Sequence, residues 1–361
     1  MPESLRVTYE LTPEGDEDPH TKARDIAYEQ TVELPPAAVP ATLAATIPGR
    51  VGTLTERTDQ RWQVTIEYDA TLLAGELTQT LNLLFGNISL KRGIRITGID
   101  WPASLIERLG GPGQGIAGWR RLTGVQGRAL TATALKPVGL SASELADYAA
   151  AFARGGLDII KDDHGLSDQP TAPFDERAAR CQDAVGDTSL YLPNVTAAWP
   201  EMMRRAQRAR ELGCRAVLVS PFLTGLDALA WLRDEMGLAV MAHPSLTGGL
   251  LQPGHGLSAE LLLGDIFRLA GADAVIYPNV GGRFGLTAAE CAALNDHLRR
   301  PWANCRAAMP TPAGGIGLTQ AGAWAQRYGP DTILLIGGSL YAEGDVELAA
   351  RRLATAIGEQ A

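Results

Sequence analysis

The sequence predicts an α/β protein: an amino-terminal α+β (ferredoxin-like) domain followed by a (β/α)8 barrel of the TIM type. Three observations carry this. From about Arg128 onward, eight short apolar, β-rich runs alternate with Ala- and Leu-rich helical stretches. Before about Asp100, strand candidates instead alternate apolar and polar residues, as half-buried strands of an open sheet do. Between the two regions, "GIDWPASLIERLGGPGQGIAGWRRLTG" is rich in Gly and Pro and breaks both patterns. The domains are therefore expected at residues 1–125 and 126–361.

In the first region the strands are "LRVTYEL" and "RWQVTIEYD", and "PHTKARDIAYEQ" and "LAGELTQTLNLLFG" have the apolar spacing of amphipathic helices. Together they fit a small two-layer domain. In the second region the runs are "ALTATALK", "LDIIKD", "LYLPNV", "AVLVS", "LAVMAH", "DAVIYP", "WANCRAAMP" and "TILLIGG". Continuous apolar runs mark parallel strands covered on both faces, and eight of them match the size of a (β/α)8 barrel. An open doubly wound sheet is the competing architecture, but no strand leads into a G-x-G-x-x-G or G-x-x-x-x-G-K-[ST] loop.

Composition narrows the function. The chain has 361 residues, 45% hydrophobic, with 41 acidic against 32 basic residues and a net charge of -9. No basic block would track a phosphate backbone, so nucleic acid is excluded as a partner. "MPESLRVTYELTPEG" lacks the basic start and apolar core of a signal peptide, and no segment approaches the ~18 apolar residues of a membrane span. A soluble, cytoplasmic protein with no membrane partner is expected. Cys181, Cys214, Cys291 and Cys305 form no C-x-x-C pair and read as buried thiols, not as a zinc site or a disulfide framework.

In a (β/α)8 barrel the chemistry sits at the carboxyl ends of the strands. Those ends carry Lys136 on the first strand, Lys161, Asp162, Asp163 and His164 on the second, Asn194 on the third, His243 on the fifth, and Tyr277 and Asn279 on the sixth. The seventh and eighth end in Gly314–Gly315 and Gly337–Gly338. Glycine pairs on these two strands suit a phosphate held by backbone N–H groups, although either pair alone is also an ordinary tight turn. The "KDDH" quartet fits two readings. It is an ion-pair network, or it holds a hard cation such as Mg2+ through oxygen ligands, with the lysine as base or modified into a ligand. Lys136 is a second cation near the same substrate or a surface salt-bridge residue, and His243 a substrate or acid–base contact or a satisfied rim histidine.

"LKPVGLSASELADYAAAFARGGLDIIKDDHGLSDQP" resembles the first βαβ unit of the large subunit of ribulose-1,5-bisphosphate carboxylase/oxygenase (RuBisCO), where a Lys-Pro pair and "GGLD" lead into a K-D-D-E metal motif. "EMMRRAQRARELG", "FGNISL", "AGGIG" and "IGGSL" extend the likeness over nearly the whole chain. The resemblance implies that Lys161 is carbamylated by CO2, that the carbamate and Asp163 ligate Mg2+ or another divalent ion, and that Lys136 moves a proton on an enediolate. It makes His243 a substrate contact and Gly314, Gly315, Gly337 and Gly338 the phosphate grip. Glu29 and Asn87 resemble residues that one subunit lends to its partner's site, which implies a homodimer with shared active sites.

The sequence also departs from that family. His164 stands where the second metal-ligating glutamate is expected, giving a softer ligand and one negative charge fewer. The arginine after the strand-five histidine is Pro244, and the loop lysine that steers CO2 is Gly282 or Arg283. The resemblance is thus to RuBisCO-like proteins that do not fix CO2. It implies a metal-dependent enzyme forming an enediolate. The remodelled "KDDHG" and "HPSLTGG" regions suggest a substrate with one phosphate, and Asn194 at its strand end and Arg283 in the loop after strand six are expected among its contacts. Because His164 alters the K-D-D-E pattern, the expected reaction is decarboxylation of a phosphorylated 3-oxo sugar acid. Enolisation or isomerisation of a ketose phosphate, as in methionine salvage, is the alternative. A catalytically silent binding or regulatory relative, and an unrelated barrel using a lysine Schiff base, are further readings.

Overall fold

The computed structural model describes residues 3–58 and 60–358. It divides into two compact units. One comprises the chain up to Gly110 with Thr247–Leu262 and Ala303–Cys305; the other comprises Gly111–Leu246, Leu263–Trp302 and the chain from Arg306. The division falls earlier than the connector suggests because its second half folds as the helix Gly115–Thr123, whose Trp119 is fully buried in the barrel core. The backbone N–H groups of Gln114 and Gly115 donate to the buried Asp273 carboxylate at 2.6 and 2.7 Å, which fixes the start of that helix.

The amino-terminal unit is a mixed sheet with helices. Ser4–Leu11 lies antiparallel between Trp62–Asp69 and Ile94–Asp100, and its alternating burial pairs Val7 with Ile66 on the covered face. The helix Pro19–Glu29 begins where Asp18 accepts from Thr21 N–H at 3.0 Å, with proline at its first position. The strand Ile94–Asp100 is additional to the two predicted, and its register shifts opposite Thr8 and Tyr9. Gly256–Leu257 adds a parallel edge to it.

The second unit is the expected eight-stranded parallel barrel. In chain order its strands are Leu130–Leu135, Ile159–Asp162, Leu190–Leu192, Ala216–Val219, Ala239–Ala242, Ala274–Pro278, Met309–Ala313 and Ile333–Leu335. The first pairs with the eighth, and a bridge between Asn194 and Leu218 closes the third onto the fourth. Every second residue points inward: Leu130, Ala132, Ile159, Leu218, Met241, Ile276 and Ile333 belong to one buried cluster. The seventh strand lies later than "WANCRAAMP" predicts. Ala303 takes a positive φ of 45°, and Arg306 offers its carbonyl to the Arg268 side chain at 2.8 Å instead of to a ladder. All four cysteines are buried and none is in a disulfide. Among the described residues no helix is long and apolar enough to cross a membrane.

Candidate active site

Strand alternation sorts the "KDDH" quartet. Ile159 faces the barrel interior, so Lys161 and Asp163 follow it inward while Asp162 turns out toward the helices. Asp162 is fully buried and accepts from Arg177 Nε at 3.1 Å, the Tyr191 hydroxyl at 2.8 Å and Asn194 N–H at 3.0 Å. Its two oxygens are thus engaged behind the strand, and it is a structural anchor.

The inward residues make one polar mouth. Lys136 Nζ lies 2.9 Å from Asp163 Oδ2, while Asp163 Oδ1 receives Gly165 N–H at 3.1 Å and sits 3.3 Å from His164 Nδ1. Burial alone would raise the Asp163 carboxyl, but the Lys136 hydrogen bond and the charge of Lys161 outweigh it and hold the group below the ordinary carboxylate range. Lys161 is 2% exposed and donates to the Asp162 carbonyl at 2.9 Å. Burial brings its amine down to about 8, against the pull of Asp163. A fraction of this lysine is therefore neutral near pH 7–8.

The His164 ring stacks on His243, with centroids 4.1 Å apart and planes at 12°. Burial and the two lysine charges depress the His164 imidazole against Asp163, and burial with the Lys161 charge holds His243 well below its usual value. Both shifts favour the neutral ring. His243 Nδ1 accepts from Ser245 N–H at 3.2 Å and lies 2.8 Å from Ser245 Oγ, which leaves its proton on Nε2.

The glycines fall into two places. Gly314 and Gly315 have φ of +80° and +70°, and a Cβ on Gly315 would lie 2.7 Å from Gly282 N and 2.8 Å from Gly282 Cα. The loops after strands six and seven therefore touch backbone to backbone, an approach open only to glycine. Gly315→Ala is expected to cost about 1–3 kcal/mol by overpacking and left-handed strain. Urea denaturation checks this, and an unchanged midpoint would mean that the two loops part easily. Over Gly314 and Gly338 an added Cβ would meet nothing within 4 Å, and over Gly337 it would come 3.8 Å from Lys136 Cε. The open backbone at Gly337 lies beside the lysine.

Other predicted residues are placed differently. Asn194 is 1% exposed and lies beneath the mouth: its amide donates to the carbonyls of His164 at 3.0 Å and Leu166 at 2.8 Å, and its Oδ1 accepts from Thr196. It pins the loop that carries His164, and its side-chain amide is engaged in doing so. Arg283 is exposed, with its guanidinium 5.8 Å from the Phe284 ring centroid. In the amino-terminal unit Asn87 Nδ2 donates to Glu29 at 3.0 Å and to Glu33 at 3.1 Å. Glu33, Arg177, Ser245 and Tyr341 are residues that sequence reasoning missed; only Ser245, two positions after a strand-end histidine, carried a local signal.

Whether a divalent cation fits can be judged from the donors. Among the described residues no three His, Cys, Asp or Glu side chains gather as a cation site. Asp163 and His164 offer one oxygen and one nitrogen, opposite two lysine amines. A carbamate on Lys161 would reverse the charge of that side chain and supply the third donor, and the neutral amine that burial favours is the form able to react with CO2. The residues fit a cation on that condition.

A closed parallel barrel with lysines, a carboxylate and two imidazoles at its strand ends, beside open glycine loops, is an active-site architecture of the (β/α)8 class. The chain belongs to the RuBisCO family: residues 115–351 match the model of the ribulose bisphosphate carboxylase large chain, catalytic domain. Its relatives include ribulose bisphosphate carboxylase-like protein 1 of Rhodopseudomonas palustris, 38% identical over 96% of this chain and 95% of the relative. A second is 5-methylthioribulose-1-phosphate isomerase of Rhodospirillum rubrum, 38% identical over 94% of this chain and 92% of that protein. The crystal structure of a Rubisco-like protein from Rhodopseudomonas palustris superposes with a TM-score of 0.89 at 39% identity, covering 99% of this chain and 98% of that one. The chain is thus a RuBisCO-like member of the family.

Proposed function

We propose that this protein is a proton-transfer enzyme that forms an enediolate from a ketose carrying one phosphate and reprotonates it at another carbon, an isomerisation without CO2 fixation. The observation that carries the reading is Lys136: its amine is steered by Asp163 at 2.9 Å and its chain runs beside the open backbone of Gly337. A proton carrier and a phosphate cradle share one mouth. The 38%-identical relative named as a 5-methylthioribulose-1-phosphate isomerase supports this choice of substrate class.

In the mechanism the backbone around Gly314, Gly315, Gly337 and Gly338 holds the phosphate. A divalent cation such as Mg2+, held by Asp163, His164 and a Lys161 carbamate, would supply Lewis acidity toward the substrate carbonyl. Lys136 moves the proton at its Nζ, and the Asp163 ion pair keeps that amine aimed into the mouth. His243, with its proton on Nε2, presents an N–H donor to a substrate oxygen. After strand five the chain runs through Pro244, Ser245 and the exposed Leu246, which offer no cation for a second phosphate. Glu29 and Asn87 complete the partner's site in a homodimer.

The expectation of decarboxylation rests on His164 in place of glutamate. His164 stays 3.3 Å from Asp163 and burial shifts its imidazole toward the neutral form, so the substitution leaves a nitrogen donor in the site and gives that reaction no preference. The test is NMR in D2O with 5-methylthioribulose 1-phosphate, with and without Mg2+ and bicarbonate. Metal-dependent deuterium uptake and an isomerised ketose are expected. CO2 release from a phosphorylated 3-oxo acid, with no deuterium uptake into the ketose, would replace this reading by decarboxylation. No turnover, together with no Mg2+ binding by calorimetry, would replace it by a silent binding protein.

A further inference from the structure

We propose that Tyr341 is a positioning residue for Lys136, its hydroxyl standing in for a missing stretch of barrel strand.

The eighth strand pairs with the first only as far as Leu335 opposite Ala132, and Ile336 N–H donates to the Ala132 carbonyl at 2.9 Å. In a parallel ladder, alternate residues turn both backbone groups to the same neighbour. The groups next in line on that edge are the Ala134 carbonyl and the Lys136 N–H. Here the eighth strand has already left the sheet: the chain turns at Gly337 into the short helix Gly338–Ala342. No backbone remains to meet them, and Lys136 would be the frayed end of its strand.

Tyr341 closes that gap. Its hydroxyl accepts from Lys136 N–H at 2.9 Å and donates to the Ala134 carbonyl at 3.1 Å, the two bonds that a continued strand would have made. The ring is fixed from the other side by the helix Ala142–Arg154, with Tyr148 edge-on at 5.3 Å and Phe152 at 5.5 Å. Burial raises the phenol's pKa, so the group stays a neutral hydroxyl able to donate and accept at once. On its opposite edge the first strand is held by the second, with Ala134 beside Lys161 and Leu135 beside Asp162. Tyr341 thus completes the grip on the one residue whose amine must stay aimed at Asp163. Because it stands three residues after Gly338, the open glycine loop and the lysine backbone are tied to one short helix.

The test is Tyr341→Phe, with Tyr148→Phe as a control that alters a neighbouring phenol without touching Lys136. Tyr341 is only partly buried, so water can enter the place of the lost hydroxyl and the variant is expected to fold. The kinetic arm rests on the isomerase reading. There kcat for deuterium exchange is expected to fall about 10- to 100-fold, with KM within about twofold and Tyr148→Phe unaffected.

A second arm needs no activity. The chain has four lysines, Lys22, Lys91, Lys136 and Lys161, so reductive 13C-methylation gives few and resolvable signals. The Lys136 signal, identified by its loss in Lys136→Arg, is expected to move in Tyr341→Phe while those of Lys22 and Lys91 stay. If the wild-type protein exchanged no deuterium, the isomerase reading would fail and the lysine signal alone would decide the role of Tyr341. An unmoved Lys136 signal, or an unchanged kcat in an active enzyme, overturns the proposal. Should Tyr341→Phe not fold, 3-fluorotyrosine at that position keeps ring and hydroxyl while altering their hydrogen bonding. It is then expected to give a smaller change of the same kind, and none would overturn the proposal equally.

Discussion

Lys136→Met is expected to lower the rate of deuterium exchange by about 10²- to 10⁴-fold, the range usual for removing a positioned proton-transfer group. Two effects add. The amine proposed to move the proton is lost, and among the described residues Asp163 keeps His164 and the Gly165 N–H as neighbours on its oxygens. A third effect falls on Lys161. The charge of Lys136 is one of the causes that depress the Lys161 amine, so its removal raises that pKa and shrinks the neutral fraction available to CO2. Part of the loss should therefore return as pH rises past about 8, where the wild-type Lys161 amine titrates. Stability should change little, since the Lys136 side chain is 41% exposed and an ion pair at that exposure contributes about 0–1 kcal/mol. Single-turnover NMR, thermal melting and an inorganic phosphate titration separate these contributions. A variant that exchanged deuterium at the wild-type rate would remove Lys136 from the mechanism and leave Lys161 as the base.

Much of this site can be read from the chain because β-structure has period two. Once "LDIIKDDHG" is taken as a strand end, Lys161 and Asp163 must share a face and Asp162 must oppose them. Seven of the eight apolar runs are similarly plain, since strands covered on both faces leave little choice of residue. What the sequence hides are the contacts made by closure. Arg177 reaches Asp162 from the next helix, and Tyr341 reaches Lys136 across 205 positions, with no local pattern to mark either. Asn194 looked like a ligand because it ends a strand, yet its amide is spent on the carbonyls of the His164 loop. The sequence puts the seventh strand too early because "WANCRAA" is apolar enough for a strand, while its backbone is claimed by a left-handed turn and by Arg268. The replacement of glutamate by His164 was visible, but its stacking on His243 was not, because that depends on two strand ends meeting.

The largest effect on stability is expected from Arg177→Met. The guanidinium is wholly buried, with Nε on Asp162 at 3.1 Å, one terminal nitrogen on the Ser167 carbonyl at 2.7 Å and the other on the Ala172 carbonyl. It also lies 5.7 Å from the Phe174 ring centroid. Methionine fills part of the volume but leaves a carboxylate and two carbonyls without their cation. Removing one partner of a buried pair costs about 3–5 kcal/mol, far more than the net worth of the pair, because the remaining charge is uncompensated. Asp162 would keep the Tyr191 hydroxyl at 2.8 Å and the Asn194 N–H at 3.0 Å, which places the expected loss toward the lower end of that range. The double variant Arg177→Met with Asp162→Asn removes the stranded charge and should recover a large part of the loss, a coupling that urea denaturation of the four proteins in the cycle would measure. Function is expected to follow structure here. The carbonyls released belong to the loop from Gly165 to Pro173, and Asn194 ties the same loop to His164. The single variant should therefore lose Mg2+ affinity in calorimetry as well as stability. If it lost stability alone, the His164 loop would be held by Asn194, and by Arg205 donating to the Ser167 hydroxyl at 3.1 Å, without help from the buried ion pair.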